Sequence, residues 1–283
     1  MQKHWLLPGV AVIGGFVGAL LRHWQVVTAF EPDTGLVAPG SPATYALIIW
    51  SVLVAAALIV LCQSLKYPLP YNEAYAAEEN APYVAVVIAS GLCLLVSAAL
   101  EAMNLPVVYQ TYQAAKAAAD PSPSRLEIVL PVLLIALCVL GFLCVLYTGR
   151  LHFRSEGRDG KESLATLGLC LLFCVWLISD YQGRAADPVV LDYVFEIFAI
   201  ISSLLGLYFM AGFSFQTGRP RRTVVFSLLG VYFSCVTLSD GHAPGSLLRF
   251  AFCILFLTVS TAVLIHNLAG AKPPEESEAT TNE

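Results

Sequence analysis

Eight long apolar stretches, separated by short polar or turn-forming segments, constrain this chain more than any other feature of its sequence. A helix needs about 20 largely apolar residues to cross the hydrocarbon core of a bilayer. The backbone N–H and C=O groups of a spanning segment find no water in that core and must form hydrogen bonds with each other, so we expect these stretches to be helical. They cover residues 5–22, 44–65, 82–104, 127–147, 162–181, 189–216, 222–240 and 244–268. The pattern predicts an all-α, polytopic transmembrane helix bundle of about eight spans.

The amino-acid composition agrees with a chain that is embedded in a lipid bilayer. Only 12% of the 283 residues are charged and 58% are hydrophobic, whereas a soluble domain averages about 25% charged residues. The net charge of −5 comes without a strongly basic region, which excludes nucleic acid as a partner class. We therefore expect an integral membrane protein, in the cytoplasmic membrane of a bacterium, with the lipid bilayer as its first partner.

The distribution of lysine and arginine predicts the orientation, because cytoplasmic loops carry an excess of both. With both termini inside, ten of these residues are cytoplasmic and five are external, and seven of the ten lie within 150–161 and 219–222. This predicts one bundle over residues 1–270 with its N and C termini in the cytoplasm. Residues 271–283 hold four glutamates against one lysine, which predicts a disordered acidic cytoplasmic tail.

A repeated spacing indicates an internal duplication. Leu126-Glu127-Ile128 is followed by 19 residues and then Thr148-Gly149-Arg150, and Phe195-Glu196-Ile197 is followed by 19 residues and then Thr217-Gly218-Arg219. Each copy continues into a basic loop and another apolar stretch. Residues 126–181 and 195–241 are therefore predicted to be tandem two-helix hairpins in parallel orientation, an arrangement common in transporters.

Charged residues collect at the predicted outer ends of the spans. Small and polar residues follow one face of the third, sixth and seventh spans toward these charges. Such faces should point into the bundle, since lipid offers no hydrogen-bond partner. The stripes predict a cavity that opens outward, and the candidate ligand-binding residues at its mouth are Glu101, Asp180, Asp192, Glu196, Asp240 and Arg249.

Two interpretations of these residues stay open. Acids at helix ends are often only interfacial, and stripes of hydroxyl groups and glycine are an ordinary way for membrane helices to pack. Glu196 and Arg249 lie deeper, where an unpaired charge costs about 2.5–3.5 kcal/mol. A pair between Arg249 and either Glu196 or Asp192 would offset that cost, whether it serves binding or architecture.

Two segments outside the spans have less defined patterns. Residues 105–125 contain an alanine-rich run that predicts a helix on the membrane surface or over the outer mouth. Residues 71–79 are interpreted as a cytoplasmic solvated loop, with a partner contact as the alternative.

No complete catalytic or metal-binding set can be assembled. The sequence has no Walker loop, dinucleotide fingerprint, Gly-x-Ser-x-Gly or His-x-x-x-His pattern, and its eight cysteines lie in apolar stretches. We expect neither a cofactor nor a metal site, and an enzyme is the least favoured class. A transporter or channel for a small solute or ion is the first hypothesis. A non-enzymatic structural or signalling membrane protein is the alternative.

Overall fold

The structure, a computed structural model, describes residues 3–31, 36–65, 69–78, 80–118, 124–154, 161–184 and 189–270. The longer regular elements within these ranges are all helices, which confirms the predicted helical bundle. In chain order they are α1 Lys3–Thr28, α2 Pro42–Leu61, α3 Tyr71–Ala74, α4 Ala81–Ala118, α5 Leu126–Arg154, α6 Lys161–Arg184, α7 Val190–Ser214, α8 Pro220–Thr237 and α9 Pro244–Gly270. The predicted acidic tail, 271–283, lies outside the described residues.

Seven of the described helices are long and apolar enough to cross a membrane: α1, α2, α4, α5, α6, α7 and α9. The chain is therefore an integral, multi-pass membrane protein. The seventh predicted span, 222–240, corresponds to α8, which is also helical but has only 18 residues. Arg221 and Arg222 in its first turn lower its mean hydropathy, so a membrane crossing by α8 stays a prediction.

Proline marks the beginning of three of these helices. α2, α8 and α9 start at Pro42, Pro220 and Pro244. The first turn of a helix has no partner for its backbone N–H groups, so the missing N–H of proline costs nothing there. Helix α4 differs from the prediction. It runs through Pro106 to Ala118 without a break, so the alanine-rich segment up to that residue extends α4 and does not form a separate surface helix.

Helix α9 lies at the centre of the bundle. It packs against α1, α4 and α8, and its Phe250 contacts Trp176 of α6 with ring centroids 4.9 Å apart. In its most apolar stretch 61% of the residues are buried, compared with 28% in α2. Helix α2 is peripheral and packs mainly on α1. The hydrophobic core therefore lies around α9 and α8, since most residues of α8 are buried as well, while α2 and α5 lie on its outside.

Small residues let α1 approach α8 closely. A β-carbon at Gly15 would lie 2.6 Å from the β-carbon of Cys235, and one at Gly18 would lie 2.7 Å from Val236 Cγ2. No real β-carbon tolerates such distances. The two glycines therefore set the separation of α1 and α8, the usual role of small residues between membrane helices.

The segment that contains α3 is docked into one end of the bundle. Tyr71, Ala74 and Tyr75 are buried, Tyr75 stacks on His152 with centroids 5.1 Å apart, and Asn267 donates to the carbonyls of Ala74 and Ala76. Burial, followed by the neighbouring Tyr71 and Tyr83, raises the pKa of Tyr75 well above its ordinary value. The interpretation of 71–78 as a solvated loop is wrong, and Glu79 lies outside the described residues.

His152 is the centre of this end, which we call the tyrosine end: Tyr71, Tyr75, Tyr83, His152 and Asn267. The Tyr71 hydroxyl lies 2.8 Å from His152 Nε2, and the Tyr83 hydroxyl is hydrogen-bonded to Nδ1. A neutral imidazole has one donor and one acceptor nitrogen. One tyrosine therefore donates to His152 and the other accepts from it.

Candidate functional site at the charged end

The opposite end of the bundle gathers most of the buried charge of the described residues. Helices α1, α4, α6, α7 and α9, with the segment after α8, each contribute at least one ionisable side chain. We call this group the charged end: Arg22, Glu101, Asp180, Arg184, Asp192, Glu196, Asp240, His242 and Arg249. It contains all six residues that the sequence predicts as ligand-binding.

Arg22 joins α1 to two other parts of the charged end. It is fully buried, and its Nε donates to Asp240 Oδ1 at 2.6 Å. Its Nη1 donates to Gln25 Oε1 at 2.7 Å, and its Nη2 donates to the backbone carbonyl of Asp192. The guanidinium carbon also lies 5.5 Å from the centroid of the Phe195 ring. The guanidinium group of arginine is planar and carries several N–H donors in fixed directions, so one side chain can bind several acceptors at once.

Arg184 is the partner of the two acids on α7, and sequence reasoning missed it. Its Nη1 lies 3.3 Å from Asp192 Oδ2, and its Nη2 lies 3.4 Å from Glu196 Oε2. The two acids are four residues apart, and this spacing directs them to one side of α7. The sequence contains one indication of this contact. Arg184 lies at the end of α6, the helix that precedes α7, and therefore at the same end of the bundle as the two acids.

His242 and Glu196 form the part of the site best suited to hold a proton. His242 Nδ1 lies 3.4 Å from Glu196 Oε1, and His242 Nε2 lies 2.8 Å from the Thr237 hydroxyl. That hydroxyl is also 3.0 Å from Asp240 Oδ2. Thr237 has one hydrogen, so when it donates to Asp240 it must accept from His242 Nε2. His242 Nδ1 then either carries a second proton or accepts a hydrogen bond from a protonated Glu196 carboxyl.

The surroundings of His242 favour its neutral form. Burial lowers the pKa of His242, and the nearby carboxylate of Asp240 opposes that shift, while Arg184 and Arg22 add to it. A neutral ring with Nε2 protonated leaves Nδ1 as an acceptor facing Glu196. This arrangement can take up one proton between the two side chains, with little movement of either.

Arg249 has a different partner from the one predicted. Its Nη1 donates to Glu101 Oε1 at 3.0 Å and lies 3.3 Å from Ser97 Oγ, and its Nη2 donates to Ser246 Oγ at 2.8 Å. The expected direct pair with Glu196 or Asp192 is absent from the ion pairs of the described residues. Since α9 packs on α4, the acid on α4 reaches Arg249 first.

Asp180 connects the two groups of ion pairs. Its carboxyl lies among Arg249, Glu196 and Trp176. No hydrogen bond of ordinary length is made by three buried atoms here: Asp180 Oδ2, Trp176 Nε1 and Arg249 Nε. The Arg249 guanidinium carbon is 5.1 Å from the Trp176 ring centroid, and Trp176 and Asp180 share a face of α6. Trp176 and Glu196 are the polar neighbours of the Asp180 carboxyl, so these groups face each other where the two sets of ion pairs meet.

The charged end carries an excess of negative charge. It has five carboxylates, on Glu101, Asp180, Asp192, Glu196 and Asp240, but only three arginines. Adjacent carboxylates in a buried place cannot all stay ionised without a compensating charge. The arrangement therefore favours a bound proton or cation over an anion.

The polar stripes of α7 and α8 contact each other. A β-carbon at Gly206 would lie 2.7 Å from Ser227 Oγ, and one at Gly230 would lie 2.6 Å from Ser203 Oγ. Each glycine of one helix faces a serine of the other. At this depth the two stripes form a tight helix interface and do not line the predicted outward-opening cavity.

The described residues contain no group of three or more His, Cys, Asp or Glu side chains arranged to hold a metal ion. The ionisable groups at the charged end pair with each other, and no ligand set for a cofactor can be assembled from them. No protein-family model matches the chain, and the searches of curated proteins and of solved structures give no match either.

Proposed function

We propose that this integral membrane protein moves a small cation, zwitterion or proton, and that it binds this solute at the charged end. The observation that carries the proposal is the charge of this end, where five carboxylates lie with three arginines. Carboxylates that lie close together in a buried place cannot all stay ionised without a compensating charge, so they call for a bound proton or cation. The carboxylate excess selects against anions.

Buried hydroxyl groups support a path from this site into the bundle. Ser203 and Ser234 are buried, and both lie beside Cys253 of α9. Further along α9, Ser260 lies beside Tyr83 of the tyrosine end. Arg249 and Ser260 are separated by about 16 Å along the helix. Polar groups are therefore spaced through the layer between the two ends.

The proposal includes an arrangement in the membrane. Residues 1–270 form one bundle of eight spans, with both termini and the tail 271–283 in the cytoplasm of a bacterial cell. The charged end then faces outward. Residues 126–181 and 195–241 are tandem hairpins in parallel orientation. The excess of lysine and arginine near the tyrosine end supports this orientation, and the matched spacing of the two hairpins supports the repeat.

A structural or signalling role without transport is the second candidate. The observation that favours it is the contact between the stripes of α7 and α8, because Gly206 and Gly230 fit against Ser227 and Ser203 without space for a solute. In that case the ion pairs of the charged end only hold the helices together.

Uptake into proteoliposomes separates the two candidates. The probes are ⁸⁶Rb⁺, radiolabelled glycine and ³⁶Cl⁻, each with an imposed pH gradient, alongside the acidification of the lumen itself. We expect uptake of Rb⁺, glycine or protons above that of protein-free vesicles, and none of chloride. If no probe exceeds the vesicle background, the transport proposal is wrong. Chloride as the sole transported probe would contradict the acidic site.

Variants then test where the solute binds. Trp176→Phe removes the N–H next to the Asp180 carboxyl but keeps a ring next to Arg249 and Phe250, and Asp180→Asn removes one charge. Each should reduce uptake at least tenfold while the melting temperature stays near that of the parent. Glu127→Gln is the matched control, because Glu127 is an exposed acid at the beginning of α5. Equal losses in all three variants would argue against a specific site.

A further inference from the structure

A second pocket lies at the tyrosine end, remote from the charged end. Its volume is about 510 Å³, within the range of small-molecule sites. It is bounded by residues 76–78 and Asn80, the beginning of α4 and the last turns of α9. Its lining includes Glu78, Val86, Val259, Val263, His266 and Asn267.

The pocket has an apolar wall and a polar rim. Val86 of α4 and Val259 and Val263 of α9 form part of the wall, and Glu78 and Asn267 belong to the rim. Val259 precedes Asn267 by eight residues, so the wall extends about 12 Å along α9 below the rim. A short apolar tail fits that length, whereas the chain of a membrane phospholipid is longer.

The rim favours a ligand that donates hydrogen bonds and carries positive charge. Both hydrogens of the Asn267 side-chain amide are used by the carbonyls of Ala74 and Ala76. The part of that amide still available is its oxygen, an acceptor. Glu78 contributes a carboxylate, His266 is the one basic side chain in the lining, and neither lysine nor arginine lines the pocket. Charge and hydrogen-bonding capacity therefore complement an ammonium group.

We propose that this pocket binds a monocationic amphiphile, an ammonium group on a short apolar tail, with the ammonium at Glu78 and Asn267 and the tail against Val86, Val259 and Val263. The site is independent of transport at the charged end. It is built by the docked segment, so a bound amphiphile would also hold residues 76–78 against α4 and α9.

Binding of radiolabelled decylamine to the full chain in nanodiscs tests the proposal, with empty nanodiscs subtracted. Unlabelled decylamine should compete at least tenfold better than decan-1-ol, and decanoate should compete least. Glu78→Gln should weaken decylamine binding at least tenfold while decan-1-ol binding persists, which shows that the pocket is still formed. Val86→Trp should abolish binding of both compounds.

Glu73→Gln is the matched control, since Glu73 is exposed on the same segment and does not line the pocket. It should leave decylamine binding unchanged. Competition by decanoate equal to that by decylamine would overturn the proposal. An equal effect of Glu73→Gln and Glu78→Gln would also overturn the proposal. Decylamine binding would then depend on the overall negative charge of the surface and not on Glu78.

Discussion

Arg22 of α1 donates to Asp240, which follows α8, over 2.6 Å, although 218 residues separate them in the chain. The arginine is fully buried and the Asp240 side chain is 10% exposed. The pair fixes the end of α1 to the end of α8, where Gly15 and Gly18 have already brought the helices together. Close packing and ion pairing thus act on the same two helices.

Arg22→Met should destabilise the protein by about 3–5 kcal/mol, because it leaves the Asp240 carboxylate without its main partner. The double variant Arg22→Met/Asp240→Leu should recover most of that loss. Unfolding by urea in detergent micelles measures both, and Arg125→Met, at an exposed position, serves as the control. A double variant as unstable as the single one would contradict the pairing.

Gly230→Leu should destabilise the contact between α7 and α8 by about 1–3 kcal/mol or more, because its first added carbon already overlaps Ser203. Gly9→Ala is the matched control: Gly9 also lies in a membrane helix, but nothing lies within 4 Å of an added β-carbon there. That change should be neutral or stabilise the protein by up to about 1 kcal/mol. Thermal melting in one detergent compares the two variants.

Acid should destabilise the charged end through His242. Burial lowers the pKa of His242 in the folded state, whereas the unfolded value is about 6.5. The unfolded state therefore binds more protons, so this contribution to stability is complete above pH 6.5 and is lost as the pH falls through the folded pKa. Melting temperatures from pH 8 to pH 5 should fall less steeply in His242→Gln than in the parent. Identical slopes would contradict this prediction, because they would show that folding does not lower the pKa of His242.

Reporter fusions should establish the orientation. Fusions within 150–161 and after Lys272 should read as cytoplasmic, and one next to Arg184 should read as external. A cytoplasmic reading at Arg184 together with an external one at 150–161 would invert the proposed topology.

His152→Phe should loosen the docked segment, because it leaves the hydroxyls of Tyr71 and Tyr83 without their shared partner. Each buried unsatisfied hydroxyl costs about 1–3 kcal/mol. Hydrogen exchange should accelerate over residues 71–78, including Ala77, whose N–H donates to the His152 carbonyl. Unchanged exchange over these residues would show that the stacking of Tyr75 on the ring holds the segment.

The helices themselves could be predicted, because an apolar stretch of sufficient length must be helical to cross a bilayer. The position of Asp192 and Glu196 at the charged end was also predicted, because both lie near the outer beginning of one span. The partner of Arg249 could not be predicted, because the sequence of one helix does not show which other helices are its neighbours in the bundle. Only the packing of α9 on α4 shows that Glu101 lies nearest.

The docked segment was missed for a different reason. Residues 71–78 are short, alanine-rich and acidic, which is typical of a loop. Tyr71, Ala74 and Tyr75 nevertheless follow the i, i+3, i+4 spacing of a buried helix face. Over a single turn that pattern is too brief to separate from chance, and burial depends on His152, which is distant in sequence.

The central position of α9 has a consequence for biosynthesis. This helix emerges from the ribosome after α1, α4 and α8, on which it packs, so these earlier helices enter the membrane before one of their main neighbours exists. Until α9 arrives, Glu101 has no Arg249, and the inner faces of α4 and α8 lack their neighbour. Contacts between segments so distant in sequence form slowly. The unfinished assembly therefore exposes its polar inner surface to lipid or to the insertion machinery, and it is during this interval that quality-control proteases would find it.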